Sequence, residues 1–139
     1  MYTFRLIPKE EISSIIPFLQ ILNDKIDEGT LHNRLNEMVE EGYECVGAYD
    51  EERLIGISGL WTLTKYYVGK HIEPDNVVIL PEYRGRAVGE QLMDWIYAYG
   101  RSKSCLASEL NCYVTNSGGQ KFWANQGYKI IGFHYQRQL

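Results

Sequence analysis

The chain has 139 residues, of which 45% are apolar and 23% are charged, and its formal net charge is −4. This length and composition predict a single soluble domain, residues 1–139, with enough apolar side chains to build a core. The acidic charge argues against non-specific binding of nucleic acid, and the chain contains no run of ~18 apolar residues that could span a membrane.

The first third of the chain predicts one strand and two helices. YTFRLI alternates as a strand does, and apolar residues then recur at helical spacing over residues 12–22, with Pro17 in a first turn or at a kink. The pattern breaks at Gly29-Thr30, so Thr30 is the expected N-cap of a second helix that Gly42 ends.

Acidic side chains are concentrated in one segment. Residues 24–44 carry seven acidic and two basic side chains, which leaves the rest of the chain close to neutral. Two explanations remain open for this segment: a solvated helix face, or an acidic rim that attracts a cationic ligand.

The middle of the chain predicts an antiparallel meander. YECVGAYD and RLIGISGLWTLT are strand-like runs separated by a turn at residues 50–52, which is the pattern of a hairpin. KYYVGKH predicts a second turn, and IEPDNVVIL predicts the third strand of the meander. Apolar residues from Val88 to Tyr99 then form one face of a helix that ends at Gly100.

The last third predicts two further strands around a short helix. CLASELNCYV reads as a strand, NSGGQKFWANQG as a helix capped by Asn116 and stopped by Gly127, and YKIIGFHYQRQL as a final strand. The element order is therefore β-α-α-β-β-β-α-β-α-β. This order predicts a mixed α/β (α+β) fold with one central, mostly antiparallel sheet and helices on both faces.

The N-terminal stretch predicts the cellular compartment, and the cysteines indicate whether a disulfide or a zinc site is expected. The N-terminal stretch MYTFRLIPKEE turns charged at once and has no apolar signal-peptide region, which indicates a cytoplasmic protein. Cys45, Cys105 and Cys112 are an odd number without C-x-x-C spacing, so they predict neither a disulfide framework nor a zinc site. We expect them to behave as small buried hydrophobes.

One segment between a strand and a helix combines glycines with arginines: Arg84, Gly85, Arg86, Ala87, Val88 and Gly89. Backbone N–H groups at a helix N-terminus lack internal partners and, with the helix dipole, form an anion site. Gly85 and Gly89 leave room for a bulky anion, and Arg84 and Arg86 add charge-assisted contacts to phosphate. The alternative is a plain turn with solvated arginines. The spacing fits neither a P-loop nor a dinucleotide-binding fingerprint.

Two signatures carry a family resemblance. PEYRGRAVG after an apolar strand resembles the acetyl-CoA loop of the GCN5-related N-acetyltransferases, the GNAT family. NSGGQKFWANQGY, residues 116–128, is similar to the family's second signature, an asparagine, an aromatic pair and a Gly-aromatic ending. The resemblance covers nearly the whole chain, because the predicted element order is also the family's. It implies an enzyme that uses acetyl-CoA as acyl donor, needs no metal, and acetylates a primary amine by direct attack on the thioester.

The resemblance also implies where acetyl-CoA binds. The pyrophosphate would lie on the N–H groups from Arg84 to Gly89, and the pantetheine arm would pair with the preceding strand as an added strand does. A strand N–H near Val77 would be the oxyanion donor. The implied cofactor-binding residues are Val77, Val78, Ile79, Arg84, Gly85, Arg86, Ala87, Val88, Gly89, Asn116 and Trp123.

The sequence departs from the family pattern at two positions. Ala87 stands where the family usually has a glycine, and we expect CoA binding to tolerate its methyl group. Trp123 stands where the family often has a tyrosine that protonates the leaving thiolate, and an indole N–H cannot do so. Tyr128 is the substitute candidate, although its position also suits a core aromatic. Without an acid, the thiolate would leave unassisted, since its pKa is near ~8.5.

An acceptor amine must lose a proton before it attacks, and a carboxylate usually takes it. Asp75 occupies the family's common position for this base, and Glu73 lies one pleat further out. Alternation along a regular strand would put His71, Glu73, Asp75 and Val77 on one face, unless a bulge near Pro74 changes it. We expect His71 itself to be a surface residue.

The acceptor and the oligomeric state stay open in the sequence. Residues 24–44 favour a cationic small molecule, or less readily a protein lysine or N-terminus, whereas IIGFHYQRQL resembles the tails of small members that acetylate aminoalkylphosphonates. The last strand, rich in aromatic residues, is compatible with a homodimer. Two other hypotheses are a non-catalytic acyl-CoA sensor, suggested by Trp123 and Ala87, and a phosphate-loop module for another nucleotide.

Overall fold

The computed structural model describes residues 1–139 in full and contains a five-stranded sheet flanked by four α-helices. The strands are β1 (Tyr2–Leu6), β2 (Glu44–Asp50), β3 (Arg53–Lys65), β4 (Gly69–Ile79) and β5 (Ala107–Ser108). The helices are α1 (Ile16–Leu22), α2 (Glu28–Glu40), α3 (Val88–Ser102) and α4 (Ser117–Asn125). Two short 3₁₀ helices, Lys9–Ile15 and Pro81–Tyr83, precede α1 and α3. None of the helices is long and apolar enough to cross a membrane.

The strands follow one another in chain order, β1-β2-β3-β4-β5. The first three pairings are antiparallel, and β5 pairs with β4 in parallel at two positions, His71 with Ala107 and Ile72 with Ser108. The predicted fold class, a mixed and mostly antiparallel sheet with helices on both faces, is confirmed.

The core lies on both faces of this sheet. On the first face, α1 and α2 bury Ile16 and Leu35 in one apolar cluster with Tyr43. On the second face, α3 buries Leu92 and Ile96, and part of α4 packs against the same cluster. We call these the α1–α2 face and the α3–α4 face.

Helix α2 begins earlier than the sequence predicted. Asp27 is its N-cap, because its carboxylate accepts the Thr30 N–H at 2.9 Å and the Thr30 hydroxyl at 2.7 Å. These two hydrogen bonds lower the pKa of Asp27. The expected cap at Thr30 is therefore wrong, because the Asp27 carboxylate accepts the Thr30 amide and the helix begins upstream of Thr30. Pro17 lies in the first turn of α1, as predicted.

Strand β4 contains a bulge that changes which side chains face each layer. The register with β3 shifts between Ile57 and Gly59, and Asn76 has φ 54, a conformation that asparagine tolerates better than most residues. As a result, Val78 packs in the α1–α2 cluster and Val77 packs on the opposite face. Val77 therefore does not share a face with Asp75, and the bulge that the sequence allowed for near Pro74 is present, at Asn76.

The C-terminal end differs most from the prediction. Strand β5 has two residues instead of ten, and the predicted last strand does not form. Residues 129–139 are exposed throughout and make no hydrogen bond to the rest of the chain. Their alternating apolar pattern encodes strand propensity, but a strand also needs a neighbour, and the folded chain supplies none here.

Candidate active site

Strand β4 pairs with β5 only as far as Ile72, so beyond that residue one edge of β4 has no neighbouring strand. The last hydrogen bond across this pair joins the Glu109 N–H to the Ile72 carbonyl at 3.0 Å. On the other side of the strand, the Leu80 N–H donates to Ile55 of β3. Because backbone groups alternate along a strand, Val77 and Ile79 present theirs to the open side. The gap between β4 and β5 can therefore accept an extended ligand as an added strand.

The loop that follows β4 presents a run of free backbone donors. Gly85 and Ala87 have φ 76 and 61, so the chain turns sharply before α3 begins at Val88. The Arg84 N–H donates to Pro81, and the first helical hydrogen bond runs from Gln91 to Ala87. None of the N–H groups of residues 85–90 donates to a protein acceptor. Free amides at a helix N-terminus can hold an anion, so the loop has the donors that the predicted anion site requires.

Glycine is favoured at Gly85 and at Gly89 of this loop for different structural reasons. A Cβ on Gly85 would meet nothing within 4 Å, so the space beside it is open, and its positive φ is what favours glycine. A Cβ on Gly89 would lie 3.3 Å from the Phe122 ring. The sequence explained both glycines by ligand approach, whereas Gly89 serves the close packing of α3 against α4.

The loop arginines are partly engaged by the protein. Arg84 Nε donates to the Ile79 carbonyl at 3.3 Å, which places its side chain across the open edge of β4. The Arg86 guanidinium lies 5.4 Å from the centre of the Tyr83 ring. Both side chains are exposed beside the free amides and can add positive charge to an anion bound there.

Helix α4 packs on the α3–α4 face, next to the start of α3. Asn116 caps it, with Oδ1 accepting the Gly119 N–H at 2.9 Å, as the sequence predicted. Trp123 is half-buried and packs edge-on against Phe122 and Tyr128, with ring centres 4.9 and 5.5 Å away. The roles of Asn116 and Trp123 in cofactor binding stay predictions.

Tyr128 is held inside the α3–α4 face. Its hydroxyl lies 2.6 Å from the Ser108 hydroxyl, and burial raises the pKa of the phenol. Ser108 is in register with Ile72, whose side chain packs under α3. The phenol thus lies on the face opposite Asp75. These contacts favour a packing role, and the predicted acid role is untested.

A cavity of about 260 Å³ opens on the α1–α2 face beside the β4 bulge. It contains both carboxylates that the sequence proposed as a base, together with one amide and three less polar side chains. Its lining residues are Trp61, Leu63, Glu73, Pro74, Asp75 and Asn111. The acidic residues of 24–44 do not line it, so its negative charge comes from β4.

Asp75 is positioned by a chain of aromatic contacts. Trp61 Nε1 donates to Asp75 Oδ2 at 3.1 Å, and the indole packs edge-on against Tyr43 with centres 5.2 Å apart. The Tyr43 hydroxyl in turn donates to Asn76, the bulge residue, at 3.1 Å. Burial raises the pKa of Tyr43, so the hydroxyl stays a donor. The bulge and the carboxylate are thus fixed together.

Glu73 belongs to a more crowded network. Its Oε2 lies 2.7 Å from His71 Nε2 and 3.5 Å from Lys65 Nζ. His71 Nε2 is also 4.0 Å from Glu109, which accepts the Tyr67 hydroxyl at 2.6 Å. That hydrogen bond raises the pKa of Tyr67 to about 12.

The prediction of a surface His71 is wrong. The side chain is fully buried, because the parallel neighbour β5 covers the strand at this position. Nδ1 lies 3.3 Å from the Gly69 carbonyl, so oxygen acceptors face both ring nitrogens. The ligand atoms of His71, Glu73 and Glu109 lie within 4.8 Å of one another, but Lys65 and Tyr67 compete for the same carboxylate oxygens.

Sequence reasoning missed three residues of this site. Trp61 and Tyr43 looked like ordinary strand aromatics. What distinguishes them is that Trp61 donates to the Asp75 carboxylate and Tyr43 donates to the bulge residue Asn76, and both contacts cross the sheet. Asn111 follows β5 and had no signal, because only the tertiary fold brings it to the cavity.

Comparisons with known proteins agree on one family. The profile of the acetyltransferase (GNAT) family matches residues 14–128. An aminoalkylphosphonate N-acetyltransferase from Salmonella typhimurium is 28% identical over 67 residues. That match covers 48% of this chain and 44% of the relative, so less than half of either protein is aligned.

Solved structures with this fold extend over the whole chain. AAC(6')-Iy in complex with the bisubstrate analog CoA-S-monomethyl-acetylneamine has a TM-score of 0.83 at 16% identity, with 100% of this chain and 99% of the other covered. A ribosomal-protein-alanine N-acetyltransferase from Brucella melitensis gives 0.84 at 15% identity, with 100% and 99% covered. A glucosamine-6-phosphate N-acetyltransferase from Arabidopsis thaliana gives 0.73 at 16% identity, with 99% and 98% covered.

These acetyltransferases share the fold at identities too low to transfer a substrate. The family profile, in contrast, matches most of the chain and includes both the arginine-glycine loop and the asparagine-to-tyrosine signature. The chain therefore belongs to the acetyltransferase (GNAT) family.

Proposed function

We propose that this enzyme transfers the acetyl group of acetyl-CoA to a primary amine of a small cationic molecule bound in the cavity beside the β4 bulge. The observation that carries the proposal is the position of two sites on one strand. A run of free amides and an open strand edge lie at the end of β4, and a cavity with two carboxylates lies just before them.

Most of the proposed contacts to the acyl donor, acetyl-CoA, come from main-chain groups. The free amides of residues 85–90 would hold the pyrophosphate of acetyl-CoA, with Arg84 and Arg86 adding charge. The open edge at Val77 and Ile79 would pair with the pantetheine arm. Arg84, whose own N–H is bonded to Pro81, contributes through its side chain only.

Asp75 is the proposed base. Glu73 is already bonded to His71 and close to the Lys65 cation, whereas Asp75 accepts one hydrogen bond from a neutral indole. Asp75 is also the nearer of the two to Val77 along the strand. It can therefore take a proton from the bound ammonium group, directly or through one water. Glu73 would add to the negative potential that attracts the amine.

The reaction then needs few further groups. Asp75 takes one proton from the ammonium group, the amine nitrogen forms a bond to the acetyl carbon, and the bond from that carbon to sulfur breaks. The second proton that the nitrogen loses on becoming an amide passes to water, from which the departed thiolate can take it. The Val77 N–H would donate to the carbonyl oxygen as negative charge develops on it. Trp123 offers no proton to the leaving thiolate, which at a pKa near ~8.5 leaves without assistance.

The charge of the cavity favours a cationic acceptor. Glu73 and Asp75 line it, and no lysine or arginine does. An acceptor with a phosphonate, the class printed in the name of the Salmonella relative, would place its anionic group near two carboxylates. An amine that carries additional ammonium groups, such as a polyamine or an aminoglycoside, meets complementary charge instead.

The first experiment is thermal unfolding with acetyl-CoA, ATP or NAD at equal concentration. A ligand at ~100 times its Kd adds about 2.7 kcal/mol of stability, which raises Tm by several degrees in a domain of this size. We expect a shift with acetyl-CoA alone. An equal shift with ATP or NAD would contradict the donor site.

The second experiment is an amine panel in which acetyl transfer is scored by free thiol release. We expect polyamines and aminoglycosides to give a higher kcat/KM than aminoalkylphosphonates or lysine peptides. A preference for phosphonates would contradict the charge argument while leaving the donor site intact.

A further inference from the structure

Glu73 has one carboxylate oxygen that no other residue of the chain uses. Its contacts with His71 and Lys65 both fall on Oε2, and Oε1 has no hydrogen-bond or ion-pair partner. No buried side-chain oxygen of the protein lacks a partner, so Oε1 is accessible, and Glu73 lines the cavity. Because the side chain is only 16% exposed, solvent screens a cation bound to it weakly.

Asp75 is arranged in the same way. Trp61 Nε1 donates to Oδ2 at 3.1 Å, and Oδ1 has no partner. Both carboxylates of the cavity are thus anchored through one oxygen by an aromatic ring nitrogen, from the His71 imidazole for Glu73 and from the indole for Asp75. Each keeps its other oxygen for a ligand. As the base, Asp75 uses its free oxygen, but no step of the reaction uses that of Glu73.

The register of β4 fixes the distance between the two carboxylates. Glu73 pairs with Trp61 and Asp75 pairs with Gly59, and the register is unbroken between them. Alternate residues of a regular strand point to the same face and lie roughly 6.5–7 Å apart. Two ammonium groups bound to the free oxygens would therefore be separated by about the same distance.

The cavity wall on the β3 side is apolar. Trp61 and Leu63 form it, and a methylene chain can lie against them. The hydroxyl groups of a sugar would find little besides the Asn111 amide to bond there. The volume of about 260 Å³ is also below the ~300–1,000 Å³ of pockets for drug-sized ligands. A short linear diamine therefore fits this cavity better than an aminoglycoside does.

Building on the proposed function, we infer that Glu73 binds a second ammonium group of the acceptor, and that the acceptor is a linear diamine with a four- or five-carbon spacer. With bonds of about 1.5 Å in an extended zigzag, four methylenes separate two nitrogens by roughly 6 Å and five by about 7.5 Å, whereas three give only about 5 Å. The reacting amine lies at Asp75, on the side of Val77, and the second ammonium group lies one pleat further from the donor site.

A contact at Glu73 has a consequence that diffuse negative potential does not have. The acetylated end of the product carries no charge. When the remaining amine of that product lies at Asp75, no ammonium group is left for Glu73. We therefore expect one end of the diamine to be acetylated, and the mono-acetylated diamine to be as poor a substrate as 1-aminobutane.

The first test is kcat/KM of the full chain, scored by free thiol release, for 1-aminobutane and for diamines with three, four, five and eight carbons. The four- and five-carbon diamines should exceed 1-aminobutane and 1,3-diaminopropane by about 10- to 100-fold, the usual value of a hydrogen bond to a charged group. Equal values for 1-aminobutane and 1,4-diaminobutane would overturn the inference. A rise that continues to eight carbons would also overturn it, because it would indicate apolar contact alone.

The second test is Glu73→Gln, which keeps a hydrogen-bonding group beside His71. The ratio of kcat/KM for 1,4-diaminobutane to that for 1-aminobutane should fall at least 10-fold. Glu109→Gln is the matched control, because this carboxylate lies 4.0 Å from His71 but does not line the cavity, so the ratio should not change. An equal fall in both variants would assign the preference to diffuse charge and overturn the contact at Glu73. A Tm shift with acetyl-CoA shows that each variant is folded.

Calorimetry of 1,4-diaminobutane with the CoA-saturated protein separates binding from turnover. We expect Kd to be at least 10-fold weaker in Glu73→Gln than in the wild type. Binding that depends on Glu73, without acetylation of any amine, would contradict the proposed function and support the subsite. Acetylation of amines without this dependence would do the reverse. A diamine that neither binds nor reacts would contradict both.

Discussion

The arginine-glycine loop and the cavity beside the bulge lie next to each other on β4, but they are built from different parts of the chain. The loop presents main-chain amides of consecutive residues, 85–90, fixed by two positive φ angles. The cavity is lined by side chains of β3, β4 and the segment after β5.

This difference has consequences for recognition. A site made of amides depends on backbone conformation and on the absence of Cβ atoms, so most side chains around it can change without loss. A site made of side chains from distant elements changes its specificity with each substitution. We therefore expect donor binding to be robust and acceptor choice to be sensitive, and four variants test that contrast.

The largest effect should come from Asp75→Asn. At neutral pH, kcat/KM should fall by about 100-fold or more, the usual contribution of a general base. The deficit should shrink towards pH 10, where alkylamines lose their proton to solvent. The measurement is kcat/KM against pH, with Asp24→Asn as the exposed control. A deficit that is constant over pH, or absent, would rule out a base role for Asp75.

Gly85→Glu should break the donor site. It places a carboxylate beside the free amides and adds a side chain at φ 76, so acetyl-CoA affinity should fall about 30- to 100-fold. Gly42→Glu is the matched control, because Gly42 also has a positive φ and open space around it. Calorimetry measures both. Equal affinities for the two variants would show that the loop does not bind the anion.

Trp61→Phe tests how strongly the acceptor site depends on a single side-chain contact. It removes the indole N–H that donates to Asp75 and keeps an aromatic ring near Tyr43. A lost hydrogen bond of this kind is worth about 0.5–1.5 kcal/mol, so kcat/KM should fall about 3- to 10-fold. Trp95→Phe, on the opposite face, is the control for loss of an indole. Acetyl-CoA affinity should not change in either variant, and a change in the first would show that the two halves are coupled.

The smallest effect should come from Ala87→Gly. Alanine at φ 61 is strained, and glycine relieves the strain while adding entropy to the unfolded chain. We expect a net gain of up to about 1 kcal/mol, or about 2–4 °C in Tm, with unchanged acetyl-CoA affinity. A tighter Kd without a change in Tm would mean that the methyl group obstructs the ligand.

Features built from consecutive residues were predicted correctly, whereas features that need residues from distant elements were often missed. The helices, the meander and the loop at residues 84–89 were predictable, because apolar spacing, capping residues and glycines act over a few residues. The wrong predictions at His71 and the last strand each depended on a neighbour that is distant in sequence. Burial of His71 needs β5, and the face of Val77 depends on the bulge at Asn76.

By itself, the sequence determined the fold class, the position of the arginine-glycine loop and the two candidate carboxylates, since local backbone preferences and side-chain alternation encode them. Tertiary structure alone decided that Trp61 and Asn111 join these carboxylates in one cavity, that Glu73 is tied to a buried histidine, and that residues 129–139 find no neighbour within the chain. The physical reason is that a side chain's partners across a sheet depend on strand register, and a single bulge shifts the register by one residue.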